Sequence, residues 1–267
     1  MKELFFLGAG KMASAIAAGV VKSSVHKSEE LSAYDVLPQA CKSFTDLTGV
    51  ECCCDAVSGV SDAERILVAV KPQMIESALS PLKSALKDKL VISIAAGVTI
   101  ERLRALTGAE RIIRVMPNTP AMAGEGASAF TASCGATQSD KDFVQKLLGA
   151  VGTVTEVSEN LMDAVTGLSG SGPAYVFTFI QALADGGVAE GLSRSAALEL
   201  AVQTVLGAAK MVKESNLHPM ELCDQVTSPA GTTSRALEVL AEKAFSGTVI
   251  QAVRAAAERS RELGAKK

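Results

Sequence analysis

The sequence predicts an α/β domain with a mostly parallel, doubly wound sheet, followed by an all-α domain. Up to about residue 157, short apolar runs alternate with segments of helical periodicity, which is typical of a parallel sheet covered by helices on both faces. Beyond that point, apolar residues recur only at helical spacing. A glycine-rich motif also stands between the first apolar run and the first helix. We therefore predict two domains, residues 1–157 and 158–267.

The strand candidates of the first domain are short and mostly apolar. ELFFLG and ELSAYD come first, with the helical segment KMASAIAAGVVKS between them. The segment PQACKSFTDLTG is predicted as the second helix, because Pro38 suits a first helical position and Gly49 a helix end. The remaining candidates, which we place in the same series of strands, are VECC, RILVAV, KLVISIAA, RIIRVMP, GASAFTA and GTVTEV.

The second domain carries apolar residues at helical spacing in four segments. They span residues 175–189, 195–212, 234–245 and 249–263. A helical domain of roughly 100 residues buries only part of its apolar surface by itself. We therefore expect a homodimer that associates through these helices.

Composition excludes several classes of partner. The formal net charge of −3 gives no basic face for nucleic acid. No apolar run reaches the roughly 18 residues that a membrane span needs, and the apolar N-terminal run is too short for a signal peptide. Six cysteines without CxxC spacing and only two histidines, His26 and His218, do not suggest a metal site or a disulfide framework. We expect a cytoplasmic protein that binds neither nucleic acid nor membrane.

The segment FFLGAGKMASAIAAG holds a G-x-G-x-x-A motif formed by Gly8, Gly10 and Ala13. The motif follows the first strand and begins the first helix, which is the context of the Rossmann dinucleotide-binding fingerprint. Gly8 permits the tight turn, and Gly10 lets the backbone approach a pyrophosphate. Free N–H groups at the helix start then face the phosphates. We predict that Gly8 to Met12 (Gly8, Ala9, Gly10, Lys11 and Met12) bind a dinucleotide.

The end of the second strand is predicted to contact the adenosine ribose. Tyr34 and Asp35 stand there. A carboxylate at this position binds the ribose 2′-hydroxyl and repels a 2′-phosphate, which favours NADH over NADPH. The alternative is that Asp35 only caps the turn DVLP.

Three later strand ends break their apolar pattern at the edge where ligands bind in such sheets. Each alone is compatible with ordinary turn chemistry, but all three together favour a cofactor site. Small residues would let a flat ring lie against the backbone, and an amide would offer hydrogen bonds. The residues predicted to bind the cofactor here are Lys71, Pro72, Ala95, Ala96, Gly97 and Asn118.

The segment VTSPAGTT, residues 226–233, immediately precedes a predicted helix. Free N–H groups at the helix start and the hydroxyls of Ser228, Thr232 and Thr233 can hold an anion without a cation. This composition suits a small carboxylate. The alternative is a capping turn with threonine as the N-cap residue.

Taken together, these motifs resemble the pyrroline-5-carboxylate reductase family, nearly from end to end. The resemblance rests on FLGAGKMASAIAAG, VAVKPQ, SIAAGV, RVMPNTPA, GLSGSGPAYVF, ALADGGVAEGL and QVTSPAGTT. It implies NAD(P)H-dependent reduction of the C=N bond of 1-pyrroline-5-carboxylate to give L-proline, the last step of proline biosynthesis. It also implies a C-terminal dimerisation domain, an active site near the dimer interface, and dimers that often assemble into larger rings, such as a decamer.

The resemblance also implies roles for individual residues. The loop would hold the substrate carboxylate, and the Thr233 hydroxyl would bond the ring nitrogen, which makes it the catalytic residue. One departure is Ala230, which stands where the family commonly has glycine and should keep that backbone to non-glycine angles. The residues assigned to the substrate are Val226, Ser228, Gly231, Thr232 and Thr233. The resemblance also implies that the segments AVKP (Ala69, Val70, Lys71 and Pro72) and AAG (residues 95–97) line the nicotinamide side of the cofactor.

Two other functions remain open from the residues alone. A 3-hydroxyacid-type dehydrogenase has a similar layout, but it would need a catalytic lysine on the long interdomain helix, and the segment from Pro173 to Glu190 has none. A non-catalytic dinucleotide-binding protein would not need the loop 226–233.

Overall fold

The first part of the chain forms one seven-stranded sheet in the computed structural model, which describes residues 1–265. The strand order is β2-β1-β3-β4-β5-β6-β7, and every neighbouring pair is parallel except β5 and β6. The predicted mostly parallel, doubly wound sheet is thus confirmed. The strands are β1 Lys2–Leu7, β2 Leu31–Tyr34, β3 Ala63–Val68, β4 Leu90–Ser93, β5 Ile112–Met116, β6 Gly126–Ala132 and β7 Gly152–Glu156.

Two strand predictions need correction. GASAFTA forms β6, but it runs antiparallel to β5. Only a short 3₁₀ turn, Thr119–Ala123, lies between the two strands, and a parallel connection needs a crossover of a dozen residues or more. VECC is not a strand, because its only sheet pairing is an isolated bridge between Cys52 and Ala33 at the edge of the sheet.

Helices cover both faces of the sheet and form two apolar cores. Alternate residues of β1 point to opposite sides, so Leu4 and Phe6 lie in one core and Phe5 and Leu7 in the other. All four side chains are almost completely buried. The helices are α1 Lys11–Lys22, α2 Pro38–Thr48, α3 Ala56–Ser61, α4 Ile75–Leu79, α5 Lys83–Leu86, α6 Ile100–Thr107, α7 Gln138–Gly149 and α8 Met162–Val165.

The segment after β7 belongs to the same compact unit. Met162 is buried, and the hydroxyl of Ser260 donates to the carboxylate of Asp163 at 2.6 Å. The unit comprises residues 1–171 and the chain from Ala255 onwards. The boundary between the two compact units therefore lies after residue 171, later in the chain than the predicted domain boundary after residue 157. The domain boundary at 157 stays a prediction.

The second compact unit, Gly172–Arg254, is entirely helical. The small side chains of Ala184, Ala197 and Ala201 form its buried cluster. Many large apolar side chains of its helices are exposed, including Phe177 at 63% and Leu206 at 58%. The helices are α9 Gly172–Ala189, α10 Arg194–Ser215, α11 Pro219–Gln225, α12 Thr232–Glu242 and α13 Phe245–Ala265, whose last part belongs to the first unit.

By length and composition, one helix within residues 1–265 is apolar enough to cross a membrane. This helix is α10, and only 11% of its most apolar window is buried within the chain.

Candidate functional site

The carboxyl ends of four neighbouring strands lie side by side in register. We call this end of the sheet the cofactor edge, after the residues predicted to bind the cofactor there. Tyr34 of β2 pairs with Leu7 of β1, Leu7 with Val68 of β3, and Val68 with Ser93 of β4. The strands are parallel, so the loops that follow all leave from the same edge. The structure thereby brings together the predicted cofactor segments 8–12, 34–35, 69–72 and 95–97.

Gly8 is the tightest point of this edge. Its φ of 107° lies in a region that favours glycine. A Cβ atom at this position would lie 2.9 Å from the carbonyl carbon and oxygen of Ala69. The Gly8 N–H donates to the Tyr34 carbonyl at 2.8 Å. No other residue fits here without separating the loop after β1 from the loop after β3.

Gly10 is the N-cap residue of α1 and faces open space. Its ideal Cβ position has no heavy atom within 4 Å. The helix therefore presents its first N–H groups to a ligand without an intervening side chain. Lys11 is exposed, while Met12 is half-buried against the apolar core.

Asp35 joins the end of β2 to the glycine loop. One carboxylate oxygen accepts the N–H of Ala9 at 2.9 Å, and the other accepts the N–H of Leu37 at 2.9 Å. The second bond is the turn cap that the sequence left open as an alternative. The first ties the carboxylate directly to the predicted pyrophosphate loop, so Asp35 has both a structural role and a position at the cofactor edge.

Three thiols, those of Cys41, Cys52 and Cys53, lie near the end of β2. Cys41 donates to the Asp35 carbonyl at 3.6 Å, and Cys53 donates to the Ala33 carbonyl at 3.2 Å. Burial, reinforced by the neighbouring Cys41, raises the pKa of Cys52 to about 12. Burial likewise raises the pKa of Cys53. Thiols held protonated in this way pack as small apolar groups and are poor nucleophiles.

The loops that follow β3 and β4 border a shared cavity. Pro72 and Gly97 both line a cavity of about 500 Å³ within the first unit. Gly97 has a φ of 74°. In the same turn, Ala95 is buried and Ala96 is exposed. Lys71 is exposed, whereas Ala69 and Val70 are half-buried.

Asn118 is engaged inside the protein. Its side chain is 8% exposed. Its amide oxygen accepts the N–H of Ala127 at 2.8 Å, and its amide nitrogen donates to the Ser169 carbonyl at 3.1 Å. Both ends of the amide are thus engaged, which gives Asn118 a scaffolding role. A contact of Asn118 with the cofactor stays a prediction.

The loop 226–233 leads directly into α12. Gly231 is the N-cap residue of this helix and has no side chain to accept from the first N–H groups. The alternative of a threonine N-cap is therefore wrong. Within the described chain, the hydroxyls of Ser228, Thr232 and Thr233 make no hydrogen bond to the protein. The helix start thus offers N–H groups, a positive dipole end and three hydroxyls to an anion.

A tight turn shapes this loop. The N–H of Gly231 donates to the Ser228 carbonyl at 3.0 Å. A Cβ at Gly231 would lie 2.2 Å from the Ser228 hydroxyl oxygen, so glycine leaves room for that hydroxyl. Val226 is 62% exposed next to it.

The expectation for Ala230 is wrong. Its φ is 56°, in the left-handed region. The turn spans residues 228–231, with Pro229 at its second position and Ala230 at its third. Proline at the second position and a positive φ at the third are typical of a type II turn, which favours glycine at the third position. Closure of the turn overrides the preference of alanine, at a cost of about 1 kcal/mol.

Arg114 and Glu159 form a partly buried ion pair that no sequence motif predicted. Arg114 lies in β5 and is only 6% exposed. Its guanidinium lies 3.5 Å from the carboxylate of Glu159, which accepts the N–H of Ile100 at 2.7 Å. The signal was the arginine inside the apolar run RIIRVMP, because a buried guanidinium needs a carboxylate partner.

Two family models match the chain, one in each part. The model described as "Pyrroline-5-carboxylate reductase dimerisation" matches residues 159–263. The model described as "NADP oxidoreductase coenzyme F420-dependent" matches residues 3–97. The second range contains the glycine loop and most of the predicted cofactor residues.

Relatives match over nearly the whole chain. Pyrroline-5-carboxylate reductase of Arabidopsis thaliana is 47% identical over 97% of this chain and 94% of that protein. The enzyme of the same name from Methanosarcina acetivorans is 46% identical over 99% of each chain. The structure of Plasmodium falciparum pyrroline carboxylate reductase with NADP bound is 36% identical, with a TM-score of 0.89 over 98% of each chain.

The backbone of Ala230 generates a stability prediction. Ala230→Gly should raise the free energy of unfolding by about 1 kcal/mol, because glycine adopts a positive φ without steric cost. Ala236→Gly, in the middle of α12, is the matched control and should lower it by about 1 kcal/mol. Chemical denaturation of the three proteins checks this, and a destabilised Ala230→Gly protein would contradict the turn.

Proposed function

The chain belongs to the pyrroline-5-carboxylate reductase family, and we propose that its two sites divide the work of that family's reaction. The enzyme reduces 1-pyrroline-5-carboxylate to L-proline with NAD(P)H. The sheet edge binds the cofactor, and the loop 226–233 binds the substrate. The observation that carries the substrate assignment is the N-terminus of α12, which has no side-chain cap and is surrounded by unengaged hydroxyls.

The residues of the sheet edge suit a dinucleotide. Gly8 and Gly10 leave the space that a pyrophosphate needs, and the start of α1 supplies N–H groups to its oxygens. Pro72 and Gly97 line a cavity suited to the nicotinamide side. The bound cofactor supplies the hydride that adds to the C=N carbon.

The substrate loop works by hydrogen bonds alone. Its residues 226–234 include no ionisable side chain. The N–H groups at the start of α12 hold the substrate carboxylate, and Thr233 bonds the ring nitrogen. A cyclic imine takes its proton from water near neutral pH, so the reaction needs orientation more than a general acid.

Asp35 supports a preference for NADH. Its carboxylate sits at the end of β2 and accepts hydrogen bonds from two uncharged backbone N–H groups, so it keeps its negative charge. A ribose hydroxyl can donate to its remaining lone pairs, while a 2′-phosphate is repelled.

The helical unit supports assembly into a homodimer and, beyond it, a ring such as a decamer. Its exposed apolar side chains lie within the range that matches the dimerisation model. A second copy of the chain covers them, and with this surface covered the protein needs no membrane. This supports a cytoplasmic location.

Thr233 can be tested by kinetics. Thr233→Ala should lower kcat by about 10- to 100-fold, the effect of one lost oriented hydrogen bond. Thr233→Ser should retain most of the rate because it keeps the hydroxyl. The control is Thr248→Ala, since that hydroxyl bonds a carbonyl of its own helix. Turnover of 1-pyrroline-5-carboxylate by Thr233→Ala at the wild-type rate would rule out the assigned role.

The cofactor preference can be tested at Asp35. Wild type should have a higher kcat/KM with NADH than with NADPH, and Asp35→Asn should shift this ratio towards NADPH by roughly tenfold or more, because a like-charge repulsion is lost. Asp46→Asn, an exposed carboxylate on α2, is the control. A ratio unchanged by Asp35→Asn would leave Asp35 as a turn cap only.

Assembly can be tested by sedimentation. The wild-type chain should sediment as a dimer or a larger assembly without detergent. Leu206→Glu, at an exposed leucine of α10, should shift it towards the monomer, because a charge is unfavourable in an apolar interface. Leu47→Glu, at an exposed leucine of α2, should not. A monomeric wild type, or one that requires detergent, would overturn the assignment.

A further inference from the structure

The segment that follows β7 contacts two loops of the cofactor edge. At its start, Glu159 accepts the N–H of Ile100, just after the loop 95–99. Near its end, the Ser169 carbonyl accepts the amide of Asn118, in the loop after β5. We call residues 159–170 the brace. The brace ties the two loops together by hydrogen bonds that the sequence motifs do not reveal.

Arg114 fixes the position of Glu159. Arg114 is buried in the middle of the sheet and pairs in register with Ser93 of β4. Its guanidinium lies 3.5 Å from the same carboxylate oxygen of Glu159 that accepts the Ile100 N–H. A buried cation holds its carboxylate partner because separation would leave the charge uncompensated.

The loop 95–99 is consequently held at both ends. At its beginning, the buried Ser93 hydroxyl accepts the N–H of Ala95 at 3.3 Å. At its end, the Glu159 carboxylate bonds the first N–H of α6, where a negative charge is also favoured by the helix dipole. Between the two lies Gly97, in a left-handed conformation. The loop that carries the predicted nicotinamide contacts therefore has little freedom.

We propose that Glu159, held by Arg114, is a positioning residue for hydride transfer. It fixes the loop 95–97 against which the nicotinamide ring rests, and it touches neither substrate nor cofactor. This inference rests on the proposed cofactor role of that loop. Loss of Glu159 should misplace the ring while leaving the sites for adenosine and pyrophosphate unchanged, because those depend on Gly8, Gly10 and Asp35.

The test compares Glu159→Ala with Glu159→Gln and with a matched control. Glutamine keeps an oxygen that can accept the Ile100 N–H, so it should rescue the alanine variant in large part. The control is Glu156→Ala, which removes a carboxylate three positions earlier that pairs with Lys141 at 2.6 Å. Arg114→Met, which removes the buried cation that holds Glu159, is a second route to the same loss, should Glu159→Ala prove insoluble.

Three readouts separate positioning from general damage. Glu159→Ala should lower kcat by about tenfold or more, since misplacement of a reacting group by an ångström is costly. The KM for 1-pyrroline-5-carboxylate should change by less than about twofold. The inhibition constant of ADP-ribose, which lacks the nicotinamide, should stay at the wild-type value in every variant.

Two outcomes would overturn the proposal. One is a kcat for Glu159→Ala equal to that of Glu156→Ala. The other is a rise in the ADP-ribose inhibition constant that parallels the fall in kcat, which would indicate general disruption. Failure of the proposed cofactor role is distinguishable, because Gly10→Ala, whose added Cβ meets no heavy atom within 4 Å, would then leave the ADP-ribose inhibition constant at the wild-type value whatever the Glu159 variants do.

Discussion

The close approach of Gly8 to the backbone of Ala69 is the contact on which the cofactor edge depends. Two parallel strands in register bring their following loops to the same place, and only a residue without a Cβ lets the loops meet at this distance. Once the loops meet, the Asp35 carboxylate reaches Ala9 and the start of α1 faces outwards. The proposed cofactor site is thus a consequence of strand register and one missing methyl group.

The proposed substrate site in the loop 226–233 has a different physical basis, which is the start of a helix. The anion site that we propose there consists of the unsatisfied N–H groups that every helix start has, and glycine at the N-cap leaves them available. The strained backbone of Ala230 shows that the turn geometry is imposed by the loop as a whole. A left-handed alanine is an energetic cost that the surrounding hydrogen bonds must offset.

The parts of the structure that the sequence predicts well are those set by local pattern. The glycine loop, the α2 boundaries at Pro38 and Gly49, and the position of β1 in the apolar run ELFFLG each depend on neighbouring residues. The antiparallel direction of β6 was misjudged although the short, proline-containing connection before it signals the reversal. The segment VECC has the composition of a strand, but its place at the sheet edge leaves it a single bridge. The bonds from Glu159 to Ile100 and from Asn118 to Ser169 join residues 59 and 51 positions apart, and no local pattern encodes such contacts.

The exposed apolar helices of the second unit have a consequence for how the protein matures. A helical unit whose own buried cluster is a few alanines gains much of its stability, in the proposed dimer, only when it meets another copy. Completion of the native state is then a second-order process, whose half-time lengthens as the amount of chain falls. Cells that make little of this protein would hold a larger share of it as unassembled chains, open to proteases and chaperones.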